Sequence, residues 1–271
     1  MKVGVAPGTN REFPGWFEIG RRETVYLVTI NVLPTQERAP RRVLTAAATR
    51  PSYFAVRLGL AGIGAALVFM VHVTLVASGR MSILDTTMSD YVFVPEVGWM
   101  FNASLMCVSV AGIGTMLGLA AVRLLDGKLL RLSLVLAVIA GVTAAVFQTD
   151  LGESVSTSAQ IHRYAAGVVF FCVPIATLLV ARQLRGVGYL ATYRKWMTVN
   201  VIATAVVLTL FLTSHLGPMP EAIGELNGLF QRILFVLELG LLAQLVVLPV
   251  RFRTPVRIPA QRSAVMAEST R

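Results

Sequence analysis

Charged residues are scarce in this chain: they make up 14% of its 271 residues, whereas apolar types reach 55% and the mean hydropathy is +0.71. Soluble domains usually carry about 25% charged residues and disordered chains carry more, so both classes are excluded. Cysteine is also rare, and Cys107 and Cys172 both lie in apolar runs. Two such residues cannot form a disulfide framework. The composition therefore predicts a protein embedded in a lipid bilayer.

Long apolar runs dominate the rest of the sequence. A helix needs about 20 residues to cross roughly 30 Å of hydrocarbon, and six runs come close to that length or exceed it. They are residues 54–78, 99–122, 130–148, 163–181, 196–215 and 229–250. The connections are too short to hold another domain, so we predict an all-α polytopic membrane bundle of six transmembrane helices over residues 54–250. Residues 1–53 and 251–271 are expected to form basic tails, the first of them disordered.

Lys and Arg are distributed unequally between the two sets of connections. The tails, the second and fourth connections and Arg57 together carry 21 Lys or Arg and six Asp or Glu. The first, third and fifth connections carry three Arg and seven Asp or Glu. Because basic loops stay on the cytoplasmic side, we predict a cytoplasmic (inner) membrane protein with both termini inside. The net charge of +10 then records the direction of insertion, and nucleic acid is not an expected partner.

Polar side chains that could bind a ligand gather at the predicted outer ends of the helices. They come from five segments, and in a compact bundle they would line one outward-facing basin. The candidate ligand-binding residues are Asp85, Ser89, Asp90, Gln148, Asp150, His162, Arg163, His215, Gln231, Arg232 and, deeper in the sixth run, Glu238. In this interpretation the arginines bind anionic groups and the carboxylates hold the arginines in place.

Four short strings on these helix ends resemble a known family. In chain order they read DTTMSDYV from Asp85, FQTD from Phe147, HRYAAG from His162 and GLFQRI from Gly228. In this order and spacing they resemble the bacterial membrane family known only as domain of unknown function 998, over about residues 55–250. The resemblance implies a multi-helix membrane protein, and it implies no activity, substrate or catalytic residue. That family often has proline where Gln148 stands, so a proline-shaped helix end is not expected here.

Each candidate residue also has a structural interpretation. The three aspartates could cap helices or lie solvated in loops, and Arg163 and Arg232 could anchor helix ends at the lipid headgroups. An internal network that pairs Asp90 or Asp150 with Arg163 or Arg232 would satisfy these charges without a ligand. His162, at the expected start of the fourth helix, is interpreted as a neutral hydrogen-bonding imidazole, because a helix N-terminus disfavours a cation.

Glu238 lies deeper than the other candidates, about nine residues into the sixth run, or roughly 14 Å from its outer end at 1.5 Å per residue. A carboxylate at that depth costs about 2.5 to 3.5 kcal/mol. Glu238 should therefore face the bundle interior and be paired or protonated, and His72 in the first run is a candidate partner. Structural pairing and a proton-coupled role are equally open.

The tetrapeptide AGIG occurs twice, at residues 61–64 and 111–114. Small residues allow two helices in a membrane to approach closely. The repeat therefore predicts a close crossing of the first two helices rather than an internal duplication.

Histidine is too rare for most bundles that bind haem. Of the three histidines, His162 and His215 are the one pair expected at a common depth. The same pair with two aspartates could hold a metal, but no tight ligand spacing such as His-Glu-x-x-His supports that site. We predict no cofactor and no metal.

The leading functional hypothesis is a protein that binds, or also translocates, a small polar or amphiphilic, lipid-like molecule at its outer face, with membrane lipids as partners. No inverted repeat is evident, so binding without transport stays open. One alternative is a membrane-embedded lipid hydrolase that uses Asp and His, with Ser89 as nucleophile. The other is a structural membrane subunit without chemistry.

Overall fold

A computed structural model of the protein describes residues 51–150, 155–216 and 225–251. Within these residues the chain forms six long α-helices and no strand. They are α1 Pro51–Ala77, α2 Gly98–Ala121, α3 Lys128–Val146, α4 Thr157–Gln183, α5 Ala191–Leu216 and α6 Asn227–Arg251. Short 3-10 helices, Met88–Phe93 and Gly188–Leu190, lie in the first and fourth connections. All six long helices are long and apolar enough to cross a membrane, which confirms the all-α multi-pass bundle.

Helix α4 starts six residues before its predicted bound at residue 163. Ser156 caps it, because the Ser156 hydroxyl accepts a hydrogen bond from the backbone N–H of Ala159 at 3.2 Å. The polar first turns therefore belong to the helix although they fall outside the apolar run. His162 and Arg163 lie in the second turn of α4, so the expectation that His162 opens a helix is wrong. The helix-terminus argument does not apply to its ring.

The outward surface of the bundle is apolar. Val68 and Leu75 on α1 and Val146 on α3 are each about two thirds exposed. Exposed large apolar side chains occur on all six helices. Such a surface would be unfavourable in water, whereas lipid chains solvate it. The chain is therefore a multi-pass membrane protein whose surroundings are lipid.

Helix α6 occupies the most enclosed position in the bundle. It contacts α1, α2, α4 and α5. Its buried leucines include Leu234, Leu241, Leu245 and Leu248, spaced so that several faces of the helix meet neighbours. A polar side chain on α6, such as that of Arg232 or Glu238, consequently has protein on most sides.

Helices α1 and α2 cross at close range through small residues. A Cβ added at Gly62 would lie 2.6 Å from the carbonyl oxygen of Cys107, and one added at Gly114 would lie 2.6 Å from the backbone nitrogen of Gly59. The predicted close crossing is confirmed at these two positions. A Cβ at Gly64 would meet nothing within 4 Å, because two residues of helix rotate the chain by about 200° to another face.

The first, third and fifth connections lie at one end of the bundle, which we call the acidic end; we call the opposite one the basic end. The predicted tails fall outside the described residues, except for residues 51–53, which begin α1, and Arg251, which ends α6. The side of the membrane that each end faces stays a prediction from the charge distribution.

Candidate functional site

The first connection folds back onto the acidic end of the bundle. Tyr91, in its 3-10 helix, is only 1% exposed, and Met88 is buried as well. Both pack in one apolar cluster with Val73 of α1 and Phe101 of α2. This connection, residues 78–97, is therefore packed over the helices rather than an open loop, and we call it the cap.

Arg232, in the second turn of α6, reaches across to this cap. Its Nη1 donates to the carbonyl oxygen of Thr86 at 3.0 Å, and its Nη2 donates to the hydroxyl of Tyr91. The guanidinium carbon lies 5.3 Å from the centroid of the Tyr91 ring, within cation–π range. Its Nε is buried and has no hydrogen-bond partner among the described residues. Arg232 is thus a half-buried cation held by a backbone carbonyl and an aromatic ring.

Further bonds fasten the cap to the start of α6. The backbone N–H of Leu229 donates to the carbonyl oxygen of Leu84 at 2.9 Å, and the N–H of Met88 donates to Oε1 of Gln231 at 2.6 Å. Gly228 permits this contact, since a Cβ there would lie 2.3 Å from the Thr86 carbonyl oxygen. Gln231 and Arg232 are therefore both bonded to the cap.

Asp90 and Ser89 shape the turn inside the cap. Oδ2 of Asp90 accepts from the backbone N–H of Thr87 at 3.1 Å and from its hydroxyl at 2.8 Å. The Ser89 hydroxyl lies 2.9 Å from the Thr87 hydroxyl. Asp90 thus makes the local bonds expected of a capping carboxylate, and Ser89 contacts a hydroxyl instead of an imidazole base.

A second group of candidate residues forms the corner between α3 and α4. Oδ2 of Asp150 accepts from the backbone N–H of Ser156 at 2.5 Å, and the Ser158 hydroxyl donates to the carbonyl oxygen of Gln148 at 2.9 Å. The bonds from Ser156, its backbone N–H first, lower the pKa of Asp150, and the positive charge of Arg163 adds to that effect. The side chains of Gln148 and Arg163 are exposed.

His162 fastens the end of α3 to α4 from inside this corner. Its buried ring places Nδ1 2.8 Å from the carbonyl oxygen of Ala144 and 2.9 Å from that of Phe147. Carbonyl oxygens only accept, so Nδ1 carries the proton in these bonds. The ring also lies 6.1 Å from the ring of Phe101, centroid to centroid. His162 makes the hydrogen bonds of a structural imidazole.

Asp85 is the most solvated of the acidic candidates. Its side chain is exposed, and a hydrogen bond from the Ser82 side chain is the main cause that lowers its pKa. Nearby, Arg80 donates to both carboxylate oxygens of Glu96, at 3.0 and 3.4 Å, and this bond lowers the pKa of Glu96. Both partners of this pair are more than half exposed.

The expected ion-pair network is not formed in the described part of the chain. The salt bridge found in those residues joins Arg80 to Glu96. Neither Asp90 nor Asp150 has a carboxylate oxygen within 4 Å of an arginine nitrogen in this part of the chain. The alternative interpretation as a network that pairs Asp90 or Asp150 with Arg163 or Arg232 is therefore wrong, because the carboxylates accept from local N–H groups and Arg232 donates to the cap. Short-range bonds within each connection therefore hold Asp90 and Asp150 away from the arginines.

The polar residues form two separate groups rather than one basin. One group contains Arg232, Gln231 and the cap, and the other contains His162 and Asp150 at the corner between α3 and α4. In residues 51–150, 155–216 and 225–251, no hydrogen bond or salt bridge joins the two groups, and the ring of Phe101 packs between them. No trio of His, Cys, Asp and Glu that could hold a metal occurs in the same ranges. His215 lies in the last turn of α5, and its side chain is outside the described residues.

A groove runs between α1 and α6 directly beneath the cap. Its volume is about 190 Å³. Apolar side chains form most of its lining, and Arg232 is its one charged residue. The lining comprises Leu67, Met70, Val71, Thr74 and Leu75 of α1, Met88 of the cap, and Arg232, Phe235 and Val236 of α6. Several of these side chains face the lipid, so the groove is open to the membrane.

Glu238 faces the bundle interior as predicted, with 5% of its surface exposed. Neither of its carboxylate oxygens has a hydrogen-bond partner among the described residues. His72 is exposed on α1, so the expected pair of Glu238 with His72 is wrong. Around His72 the buried positions of α1 are Met70 and Val73, and the histidine between them lies on the exposed side of the helix.

Sequence reasoning missed Tyr91 and the backbone of Thr86 as partners of Arg232. A tyrosine among acidic and hydroxyl residues is a weak signal, since interfacial tyrosines are common. A backbone carbonyl leaves no signal in a sequence. These contacts depend on how the cap packs on α6.

Comparison with known proteins supports the resemblance stated above. The family model described as "Protein of unknown function (DUF998)" matches residues 60–248, which include all four strings. No curated protein and no solved structure matches the chain. Since the matched region covers more than half of the sequence, the chain belongs to the DUF998 family of membrane proteins of unknown function.

Proposed function

We propose that this protein binds an anionic, lipid-like amphiphile in the groove between α1 and α6. The observation that carries the proposal is the lining: apolar side chains from two helices lead to a single charged group, the guanidinium of Arg232. An alkyl chain would lie along Leu67, Val71 and Leu75, and an acidic headgroup would meet Arg232. The charge distribution supports placing this site in the outer leaflet of the cytoplasmic membrane.

Arg232 suits the headgroup because its donors are not exhausted. The bonds to Thr86 and Tyr91 use one hydrogen each on Nη1 and Nη2, and Nε has no partner in the described structure. A guanidinium has five N–H donors and prefers paired acceptors such as phosphate or carboxylate oxygens. Its bonds to the cap fix its position in advance, which reduces the entropy lost on binding.

The groove is best tested from its apolar side, where a substitution leaves the bonds of the cap intact. Leu75→Trp would fill the groove, and Val68→Trp on the same helix is the matched control, since Val68 is equally exposed and does not line it. Binding of lysophosphatidylglycerol and lysophosphatidylcholine to the purified chain would be measured by native mass spectrometry. We expect Leu75→Trp to weaken binding of the anionic lipid roughly tenfold, since it removes most of the buried alkyl contact.

Arg232→Gln tests the headgroup contact separately. We expect it to reduce the preference for lysophosphatidylglycerol over lysophosphatidylcholine while leaving the weaker, chain-dependent binding of both. Thermal unfolding of each variant would show that it is folded. The proposal is wrong if Leu75→Trp binds the anionic lipid as well as Val68→Trp does, or if the wild-type chain shows no headgroup preference.

A further inference from the structure

A larger pocket lies at the opposite, basic end of the bundle, where α4 ends and α5 begins. Its volume is about 520 Å³. The walls come from the last turns of α4 and the first turns of α5, which are joined by residues 184–190. None of the candidate ligand-binding residues lies in it, because from sequence alone its Arg and Lys residues predict only the orientation in the membrane.

The pocket is lined by four cations, Arg182, Arg185, Arg194 and Lys195, and none of its ten lining residues is acidic. None of the four forms a salt bridge within the described ranges, where the Arg80–Glu96 pair is the one present. Four like charges around one pocket repel each other unless an anion lies between them. The lining therefore favours a ligand that carries negative charge.

The apolar part of the pocket shows which kind of anion fits. Leu178 lies four residues before Arg182 on α4, and Val199 lies four residues after Lys195 on α5, so both are about one helical turn deeper in the membrane. Charge at the helix ends and apolar surface one turn below match a headgroup with its attached chain. Trp196 beside the pocket is exposed, in the position of an interfacial aromatic residue.

We propose that this pocket binds the phosphate headgroup of an anionic phospholipid from the leaflet at the basic end, with the lipid chain along Leu178 and Val199. The predicted orientation makes this the cytoplasmic leaflet, where basic pockets between helices commonly bind acidic headgroups. The site differs from the groove beneath the cap in its helices, its end of the bundle and its charge. A lipid here would brace α4 against α5.

The test is a binding titration of the purified full chain in zwitterionic detergent, followed by native mass spectrometry, with phosphatidylglycerol, phosphatidylcholine and inorganic phosphate as probes. Leu75→Trp serves as the background, so that binding in the groove beneath the cap is weakened in every sample. We expect phosphatidylglycerol to bind roughly tenfold more tightly than phosphatidylcholine, and Arg182→Gln with Arg194→Gln to remove that difference. Arg57→Gln with Lys128→Gln is the matched control, since both are exposed cations of the same end outside the pocket.

Ala191→Phe separates a defined site from general attraction to a basic surface. Ala191 lines the pocket, so a phenyl ring there would occupy it while all four cations remain. We expect this variant to lose the preference for phosphatidylglycerol while unfolding at the wild-type temperature. The proposal is overturned if Ala191→Phe keeps the preference, if the control pair loses it equally, or if equimolar inorganic phosphate displaces the lipid.

Discussion

Gly228 is the residue on which the contact between the cap and α6 depends most directly. In the described structure a Cβ at this position would lie 2.3 Å from the carbonyl oxygen of Thr86, 2.9 Å from that of Leu84 and 2.6 Å from Nη1 of Arg232. Two of these neighbours are backbone atoms, which cannot turn aside as a flexible side chain can. Gly228→Ala must therefore move the cap away from the helix.

The size of the effect follows from the bonds that this movement breaks. The bond from Arg232 to Thr86 involves a charged donor and contributes about 1.5 to 3 kcal/mol, and the bonds Leu229–Leu84 and Met88–Gln231 contribute about 1 kcal/mol each. Alanine is the better helix former by about 1 kcal/mol, which offsets part of the loss. We expect Gly228→Ala to lower the free energy of unfolding by about 2.5 to 4 kcal/mol.

The assay is reversible unfolding in mixed micelles, combined with amide hydrogen exchange. Exchange at the Met88 and Leu229 amides should accelerate in Gly228→Ala, since both donate across the contact. Gly167→Ala is the control, because it is a helical glycine on α4 whose added Cβ would meet nothing within 4 Å. Its free energy of unfolding should stay within about 0.5 kcal/mol of wild type or rise.

One result would refute this reasoning. If Gly228→Ala unfolds with the wild-type free energy and the two amides exchange at their wild-type rates, the cap does not contact α6 as closely as the distances state. The preorganisation of Arg232 for an anionic headgroup would then lose its basis.

Three other perturbations test separate parts of the structure. Gly62→Ala should lower the free energy of unfolding by about 1 to 3 kcal/mol, since its Cβ would lie 2.6 Å from a backbone carbonyl of α2, whereas Gly64→Ala should not. Glu238→Leu should raise it by about 1 to 3 kcal/mol, because two buried oxygens without hydrogen-bond partners are removed; both effects are measured by unfolding in mixed micelles. The pKa of Asp150 is lowered by the Ser156 backbone N–H, so its stabilisation is present above about pH 4 and is lost as the pH falls through the lower folded pKa. The protection factor of the Ser156 amide, which compares its exchange with the intrinsic rate at the same pH, should therefore fall in acid in the wild type and be low at both neutral and acidic pH in Asp150→Asn.

A different result would contradict each of these three predictions. Equal losses for Gly62→Ala and Gly64→Ala would show that the crossing of α1 and α2 is not the constraint. A destabilised Glu238→Leu would show that the carboxyl has a partner in the folded protein. If the Ser156 amide exchanges at the same rate in Asp150→Asn and in wild type at neutral pH, the bond from Ser156 to Asp150 does not protect this amide.

The sequence alone determined the membrane architecture. Six runs of about 20 apolar residues have no stable place except across a bilayer, where only a helix satisfies the backbone internally. The positions of Gly62 and Gly114 also followed from sequence, because a small residue in a membrane helix indicates close packing. The starts of α4 and α5 did not follow from hydropathy, since their first turns are polar and a cap such as Ser156 is a local hydrogen bond.

The tertiary structure decided what each polar side chain does. Successive helix residues point about 100° apart, so a small change in the rotation or depth of α6 decides whether Arg232 meets a carboxylate or the Tyr91 hydroxyl. The rotation of α1 likewise decides that His72 is exposed, while Glu238 is buried without a hydrogen bond to it. Sequence reasoning identified the end of the bundle where polar groups gather, and only packing divided them into two groups with a groove beneath one. The basic pocket likewise depends on packing: the sequence places Arg182 and Lys195 at the same end of the bundle, but only the packing of α4 against α5 places them around one pocket.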